Sequence, residues 1–104
     1  MNTFVKIIRF VGHIPLGKLA DAELHFTGGE LDGMKLVGFA VWARRDGKGR
    51  NVTFPARQFT VYGERRSFSL LREIDNPVAQ DRVRELVLQA YEADQQQMSA
   101  GVAS

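Results

Sequence analysis

The sequence predicts an α+β protein, with an antiparallel β-sheet of about five strands followed by one C-terminal amphipathic helix. Two observations carry this prediction. Residues 4–74 contain short runs rich in β-branched and aromatic residues, separated by turns with glycine and proline. The segment from Pro77 to about Gln97 instead repeats its apolar residues at spacings of three and four. Since strands joined by hairpins form an antiparallel sheet, we expect the helix to cover one of its faces.

The first two predicted strands differ in their patterns. The run FVKIIRFV (4–11) is rich in β-branched and aromatic residues and is too short for a good helix. The run LADAELHF (19–26) alternates strictly, with Asp21, Glu23 and His25 on its polar face. We therefore expect the second strand to have one buried and one solvated face.

The third predicted strand, MKLVGFAVWA (34–43), is apolar on both sides. Strict alternation places Met34, Leu36, Ala40 and Trp42 on one face. The opposite face then carries Val37, Phe39 and Val41. A strand of this kind is central in a sheet, or another element covers its second side.

Two further strands follow a hairpin turn at Asp46-Gly47. The run NVTFPARQF (51–59) contains Pro55, which cannot donate a ladder hydrogen bond, so we expect this strand to end or bulge there. The segment TVYGERR is predicted as a turn, and SFSLLREI (67–74) as the last strand.

The helix is predicted to begin with Asn76 as N-cap and Pro77 at the first helical position. Its length would be on the order of 30 Å. The apolar stripe is predicted to consist of Ala79, Val83, Leu86, Val87, Ala90 and Tyr91. Because this helix covers only one face of the sheet, the second apolar face of the third strand lacks a cover within one chain, which favours a symmetric homodimer.

Length and composition indicate one domain, residues 1–98, followed by a frayed tail, residues 99–104. The chain has no cysteine, so it can form neither a disulfide nor a thiolate metal site. The first residues, MNTFVKIIRFVG, lack the layout of a secretory signal, and no apolar stretch approaches ~20 residues. We therefore expect a soluble, cytoplasmic protein without a membrane partner.

The sequence contains no pattern typical of a catalytic site. No serine or threonine lies at a motif spacing from a histidine and an acid, and GKGR (47–50) is followed by a strand rather than by the helix of a phosphate loop. Asp21, Glu23 and His25 could supply strand-spaced metal ligands, but no second cluster completes such a site, which favours a solvated strand face. We predict no enzymatic activity, cofactor, metal or small-molecule substrate.

Basic residues concentrate in one part of the chain, although the net charge is only +2. Residues 44–66 contain seven basic and two acidic residues, whereas residues 20–33 contain four acids and no lysine or arginine. Arginines on a hairpin can contact phosphates, and exposed aromatic rings can stack on unpaired bases. An ordinary charged surface explains the arginines equally well, and the aromatics, Trp42 included, are better explained as part of the core. The candidate nucleic-acid-binding residues are Arg44, Arg45, Lys48, Arg50, Arg57, Arg65 and Arg66.

A series of segments in this order gives the chain a family resemblance. These are LADAELHF, KLVGFAVW, FPAR, YGER and RVRELVLQAYEA. From about Leu19 to Tyr91 the sequence resembles the SpoVG (stage V sporulation protein G) family of small bacterial regulators, with FPAR similar to the family's Met-Pro-Ser-Arg. The chain departs from the family where LLREI stands in place of Ala-His-Pro-Ile before the helix. Its hairpin before Met34 and its turn after FPAR are also enlarged.

The resemblance implies a sheet with a C-terminal helix, dimerisation and site-specific nucleic-acid binding by a regulator. Arg57 matches the family's arginine after the proline, and Arg65, Arg66, Arg82 and Arg84 lie in the region associated with nucleic-acid contact. Solvated helix charges explain Arg82 and Arg84 equally well. We expect a dimeric SpoVG-like regulator that binds DNA or RNA through a basic hairpin and turn.

A non-enzymatic protein–protein interaction module is the alternative. It would dock a partner at a sheet edge or a helix face. The low net charge and the altered segment before the helix favour it.

Overall fold

The computed structural model describes residues 2–9 and 15–103, with side chains described through Met98. Within these residues the chain forms β1 (Asn2–Ile8), β2 (Lys18–Thr27), β3 (Lys35–Ala43), β4 (Arg50–Thr53), β5 (Ala56–Val61), β6 (Glu64–Ser69) and α1 (Val78–Ala103). Strands β1 to β4 form an antiparallel sheet in chain order, and β5 pairs with β6 in a separate two-stranded sheet. The predicted α+β class and antiparallel sheet are confirmed. The described residues contain six strands rather than five.

The boundaries of the predicted elements differ in several places. Strand β1 begins two residues earlier than predicted, and residues 10–14, which include the end of the first predicted strand and His13, lie outside the described residues. Strand β6 begins at Glu64, inside the predicted turn, and residues 70–74 connect it to the helix instead of continuing it.

The core lies between α1 and one face of the four-stranded sheet. Ala20, Ala22 and Leu24 of β2 are buried there, and they form one cluster with Val87 and Tyr91 of α1. This is the face that alternation predicts for β2.

The helix begins as predicted. The Asn76 side-chain oxygen accepts a hydrogen bond of 3.0 Å from the backbone N–H of Val78, which satisfies one of the free donors of the first turn. The helix continues to Ala103, six residues beyond the predicted end at Gln97. The added segment contains no proline and only one glycine, so nothing in it stops a helix strongly.

One position of the predicted helical stripe is wrong. Leu86 is 38% exposed, whereas Leu88, which the stripe omitted, packs against the core. Successive helical residues are about 100° apart, so these two leucines flank Val87 on opposite sides. The sheet meets the helix on the side of Leu88.

A β-bulge at Gly38 changes the faces of β3. Ala22 of β2 pairs with Phe39, but Leu24 pairs with Leu36, so β3 has one more residue than β2 between these pairs. Leu36 therefore packs with Phe39 against the core. The prediction that Leu36 shares the opposite face with Ala40 and Trp42 is wrong, because alternation holds only within an unbroken strand.

Pro55 lies against the bulge and directly after the end of β4. A Cβ atom at Gly38 would lie 2.9 Å from the Pro55 Cβ, and Gly38 has a φ of +110°, so this approach requires glycine. Strand β4 ends at Thr53 and β5 begins at Ala56. The backbone N–H of Leu70 donates a hydrogen bond of 2.8 Å to the Pro55 carbonyl. The predicted strand NVTFPARQF is thus two strands, divided where the proline lacks its N–H.

Strands β5 and β6 form a hairpin, residues 56–69, that we call the arm. Its two-residue loop, Tyr62 and Gly63, has φ values of 50° and 79°, as a type I′ turn requires. Ten of the twelve strand residues in the arm are exposed. The arm therefore projects from the fold and is held mainly by its own backbone pairing.

The sheet face opposite α1, the open face, is partly covered by its own side chains. Trp42 lies here, half-buried, and its Nε1–H donates a hydrogen bond of 2.9 Å to the Thr53 hydroxyl. The Lys18 ammonium lies 5.7 Å from the centre of the Trp42 ring. Trp42 is therefore packed, as predicted, but outside the core beneath the helix.

Candidate nucleic-acid interface

The loop between β3 and β4, residues 44–49, is a compact turn that we call the basic turn. The backbone N–H of Arg44 donates to the Gly49 carbonyl over 3.0 Å, and the Asp46 carboxylate accepts a hydrogen bond of 2.9 Å from the backbone N–H of Lys48. Gly47 adopts a φ of +71°, which favours glycine at this position. These bonds fix the backbone from which the basic side chains project.

The basic side chains of this turn are not equally available. Arg45 and Lys48 are exposed and have no ion pair with any described residue, whereas the Arg44 guanidinium lies 3.4 Å from the Asp46 carboxylate. Such an exposed pair is weak, since solvent screens it. Arg45 and Lys48 therefore offer the clearest positive charge on the basic turn.

Arg50 has a different environment. Its guanidinium forms an ion pair with Glu92 of α1 and lies 4.8 Å from the centre of the Tyr91 ring. Both contacts connect the edge strand β4 to the helix. On the other edge of the sheet, Arg9 forms a similar pair with Asp94 over 3.0 Å. The contacts of Arg50 stabilise the packing of helix on sheet, and its predicted role in binding stays a prediction.

The arm has two chemically different faces, and one of them combines arginine with phenylalanine. Cross-strand pairing places Arg57 opposite Phe68 and Phe59 opposite Arg66. We call these four residues the aromatic face. The two rings meet edge to face with centres 5.7 Å apart, and they are 37% and 43% exposed. Arg66 also lies 3.2 Å from Glu64, whereas Arg57 has no ion pair among the described residues.

The other side of the arm, the polar face, carries hydrogen-bonding side chains. Gln58 pairs across the strands with Ser67, and Thr60 with Arg65. All four are exposed, and within the described part of the chain none of their side chains has a hydrogen bond or ion pair. Arg65 therefore points away from Arg57 and Arg66. Sequence reasoning missed Gln58, Thr60 and Ser67, although a hairpin centred on Tyr62-Gly63 would have placed them on one face.

The seven predicted residues fall into two groups. The basic turn leads directly into β4, which begins with Arg50, and the arm follows β4 as a separate sheet. Strand β4 contributes four residues between them, about 13 Å of extended chain. The structure therefore distributes the predicted basic surface over two projecting hairpins.

The two helix arginines named by the resemblance lie outside both hairpins. Arg84 is 2.6 Å from the Asp81 carboxylate and 5.8 Å from the centre of the Phe54 ring. Arg82 is exposed and has no ion pair with a described residue. Both arrangements are typical of ordinary helix surface charges.

The polar residues of β2 bind cations of the chain itself. Glu23 accepts a hydrogen bond of 3.0 Å from His25 Nε2 and lies 3.2 Å from the Lys35 ammonium, while Asp21 pairs with Lys18 over 2.7 Å. The hydrogen bond from His25, followed by the contact with Lys35, lowers the pKa of Glu23 below its ordinary value of 4.5. The described residues include no group of three or more potential ligands placed to hold a metal ion.

Comparisons with protein-family models, with curated proteins and with solved structures give no match to this chain. The resemblance to the SpoVG family therefore stays a prediction. No helix in the described part of the chain is both long and apolar enough to cross a membrane.

Proposed function

We propose that the protein is a SpoVG-like regulator that binds nucleic acid as a dimer, with phosphate contacts from the basic turn and the arm. The observation that supports this most strongly is the availability of positive charge. Arg45, Lys48, Arg57 and Arg65 project from two hairpins and have no ion pair among the described residues. Unpaired cations on projecting hairpins can reach phosphates without first breaking a contact within the protein.

The proposed dimer accounts for apolar side chains on the rest of the surface. Phe4, Met34 and Val37 are exposed in or beside the outer part of the four-stranded sheet. A second copy could bury them, as symmetric dimers bury a shared apolar patch. The molar mass by light scattering at micromolar concentration tests this part, and a monomer would contradict it.

Binding is tested with labelled duplex DNA, single-stranded DNA and RNA over a series of salt concentrations. We expect the affinity to fall steeply with salt, because bound phosphates release counterions. Neutralising Arg45 and Lys48 together, with Arg45→Gln and Lys48→Gln, should reduce the magnitude of the log–log slope by about 0.9 per phosphate contact on a duplex.

A double variant with the same loss of charge is the matched control. Lys6→Gln with Arg72→Gln removes two exposed cations that also lack ion pairs with described residues but lie on β1 and in the connection between β6 and α1. It should leave the slope nearly unchanged. No retention of any nucleic acid at low salt would refute the proposed function.

One feature favours the alternative role as a protein-docking module. A small apolar cavity of about 140 Å³ lies at the base of the arm beside the first turns of α1. Phe54, Leu71, Ala79 and Val83 contribute to its lining. A protein partner that stays bound after nuclease treatment, and is lost in Ala79→Gln, would support docking at this helix face.

A further inference from the structure

We infer that the polar face of the arm reads base edges in the major groove of duplex DNA. This inference rests on the proposed function, because it requires that the arm binds nucleic acid at all. Phosphate contacts alone do not distinguish DNA from RNA or one sequence from another. The chemistry of the polar face goes beyond such contacts.

The polar face carries functional groups that form hydrogen bonds with bases. Gln58 offers an amide donor and acceptor, Arg65 a guanidinium, and Thr60 and Ser67 hydroxyls. Glutamine can bind adenine through N6 and N7, arginine can bind guanine through O6 and N7, and hydroxyls can contact either base. Because the side chains of this face are free of hydrogen bonds and ion pairs among the described residues, they need not exchange internal contacts for base contacts.

The shape of the arm fits the same groove. The major groove of B-DNA is about 12 Å wide and admits a two-stranded β-ribbon, whereas the major groove of A-form RNA is too deep and narrow to be read. The Tyr62-Gly63 loop has only two residues, so the ribbon stays narrow to its tip. Exposure along both strands leaves the ribbon accessible for most of its length.

The spacing of the side chains also matches DNA. Residues on one face of a strand recur about every 6.8 Å, which is close to the rise of two base pairs at about 3.4 Å each. Gln58 and Thr60 on β5, with Ser67 and Arg65 opposite them on β6, therefore form two rows at this interval. If the ribbon lies along the groove, the row of Gln58 and Ser67 and the row of Thr60 and Arg65 would each face different base pairs of a short DNA site.

Charge favours entry of the arm into a groove lined by phosphates. The arm contains three arginines, Arg57, Arg65 and Arg66, and one acid, Glu64. Arg57 and Arg66 lie on the aromatic face, on the two different strands, and Arg57, which has no ion pair among the described residues, is the more available to phosphates that border the groove. The groove walls and the base edges would then be contacted from opposite faces of one ribbon.

Stacking of single-stranded bases on the aromatic face is less well supported. Phe59 and Phe68 pack edge to face on each other, and each faces an arginine across the strands. Less than half of each ring residue is exposed. The polar face has no such internal contacts, which favours groove reading.

The experiment compares sequence preference before and after the polar face loses its hydrogen-bonding groups. A pool of random duplexes is first selected with the wild-type protein, and the affinity ratio of selected to random duplex is measured. In the variant Gln58→Met with Thr60→Val, shape and charge are kept. We expect binding to random duplex and its salt slope to persist, while the affinity ratio falls roughly tenfold or more, the range of one lost bidentate base contact.

Phe59→Leu is the matched variant on the opposite face and should retain the affinity ratio. Methylation of guanine N7 in the selected duplex should weaken wild-type binding, because it blocks the major-groove edge. Circular dichroism checks that each variant keeps its fold.

The other outcomes separate the two proposals. If duplexes bind but selection enriches no sequence, or the polar-face variant keeps the full ratio, groove reading is wrong and the proposed function stands. Tighter binding of single strands or RNA that is lost in Phe59→Leu would overturn groove reading in favour of stacking. If no nucleic acid binds at low salt, the proposed function itself fails.

Discussion

The four-stranded sheet and the arm are both antiparallel, but only the sheet has a buried face. Phe39 in β3 is 1% exposed and lies beneath α1, whereas Phe59 and Phe68 in the arm pack only partly, on each other. Composition contributes to this difference, since β3 is mostly apolar whereas β6 contains one apolar residue in six. The covering helix completes it, because apolar surface is removed from water only where another element lies against it. The sheet and helix therefore hold the core, and the arm stays exposed on both of its strands.

The largest effect should come from a cavity in the core of the sheet. Phe39→Ala removes a ring that is fully buried and lies 5.3 Å from the ring of Phe54. We expect a loss of about 3–5 kcal/mol in the free energy of unfolding, measured by urea denaturation. If Phe39→Ala destabilises the protein no more than Phe68→Ala in the arm does, the deeper burial of Phe39 contributes no additional stability.

The second-largest loss of stability should come from the close contact between Gly38 and Pro55, where the chain leaves the sheet for the arm. Gly38→Ala places a Cβ 2.9 Å from the Pro55 Cβ at a φ of +110°. We expect a loss of about 1–3 kcal/mol, also measured by urea denaturation. Gly47→Ala is the control, because its φ is also positive but no atom lies within 4 Å of the added Cβ.

A second substitution distinguishes the backbone strain of a positive φ at position 38 from the steric clash with Pro55. Pro55→Gly removes the Cβ that Gly38→Ala would meet, so the double variant should recover part of the loss relative to the sum of the single variants. If the losses in unfolding free energy of the two single variants simply add in the double variant, Gly38 and Pro55 do not interact through this contact.

A smaller effect should result from truncating the aromatic pair of the arm. Phe68→Ala removes a half-exposed ring, so we expect a loss of about 0.5–1.5 kcal/mol. Amide hydrogen exchange should accelerate in β5 and β6 and stay unchanged in β2, because the arm can open locally. Equal acceleration in β2 would mean that the arm and the sheet unfold as one unit.

The smallest effect should arise on the open face of the sheet. The native pKa of Glu23 is lowered by the hydrogen bond from His25 and the contact with Lys35, so its ionised form adds stability above the ordinary value of 4.5. This contribution is lost as the pH falls through the lower native pKa. The stability advantage of the wild type over Glu23→Gln should therefore shrink on acidification.

Urea denaturation at neutral and acid pH measures this change. Glu30→Gln, which alters an exposed loop carboxylate without an ion pair to any described residue, is the control. An advantage of the wild type that is independent of pH would contradict the assignment to Glu23.

Much of the fold was predictable because its signals are local. The alternation in β2, the N-cap at Asn76 and the break at Pro55 each depend on a residue and its immediate neighbours. The faces of β3 were predicted wrongly because the bulge at Gly38 belongs to its pairing with β2 and lies against Pro55, and both of these partners are distant in sequence. Leu86 and Leu88 could not be distinguished for a similar reason, since the rotation of α1 follows from its contact with the sheet.

The candidate site was predictable in composition but not in arrangement. Counting charges identified the basic segment, and the structure places its residues on two separate hairpins. Nothing in the sequence distinguishes Arg50 from Arg45, yet of these two arginines only Arg50 lies against Glu92 and Tyr91. The polar face was missed because it depends on where the hairpin turns, which the sequence signal at Tyr62-Gly63 indicated only as a longer turn.

The sequence by itself determined the class of this protein, since the period of two in β2 and the spacings of three and four in α1 arise from backbone geometry within each element. It also determined that positive charge lies between Arg44 and Arg66. Only the tertiary structure decided which strand faces are buried, which arginines are engaged by the helix, and that β5 and β6 leave the sheet at Pro55. These outcomes depend on contacts between residues far apart in the chain, and no local pattern specifies such contacts.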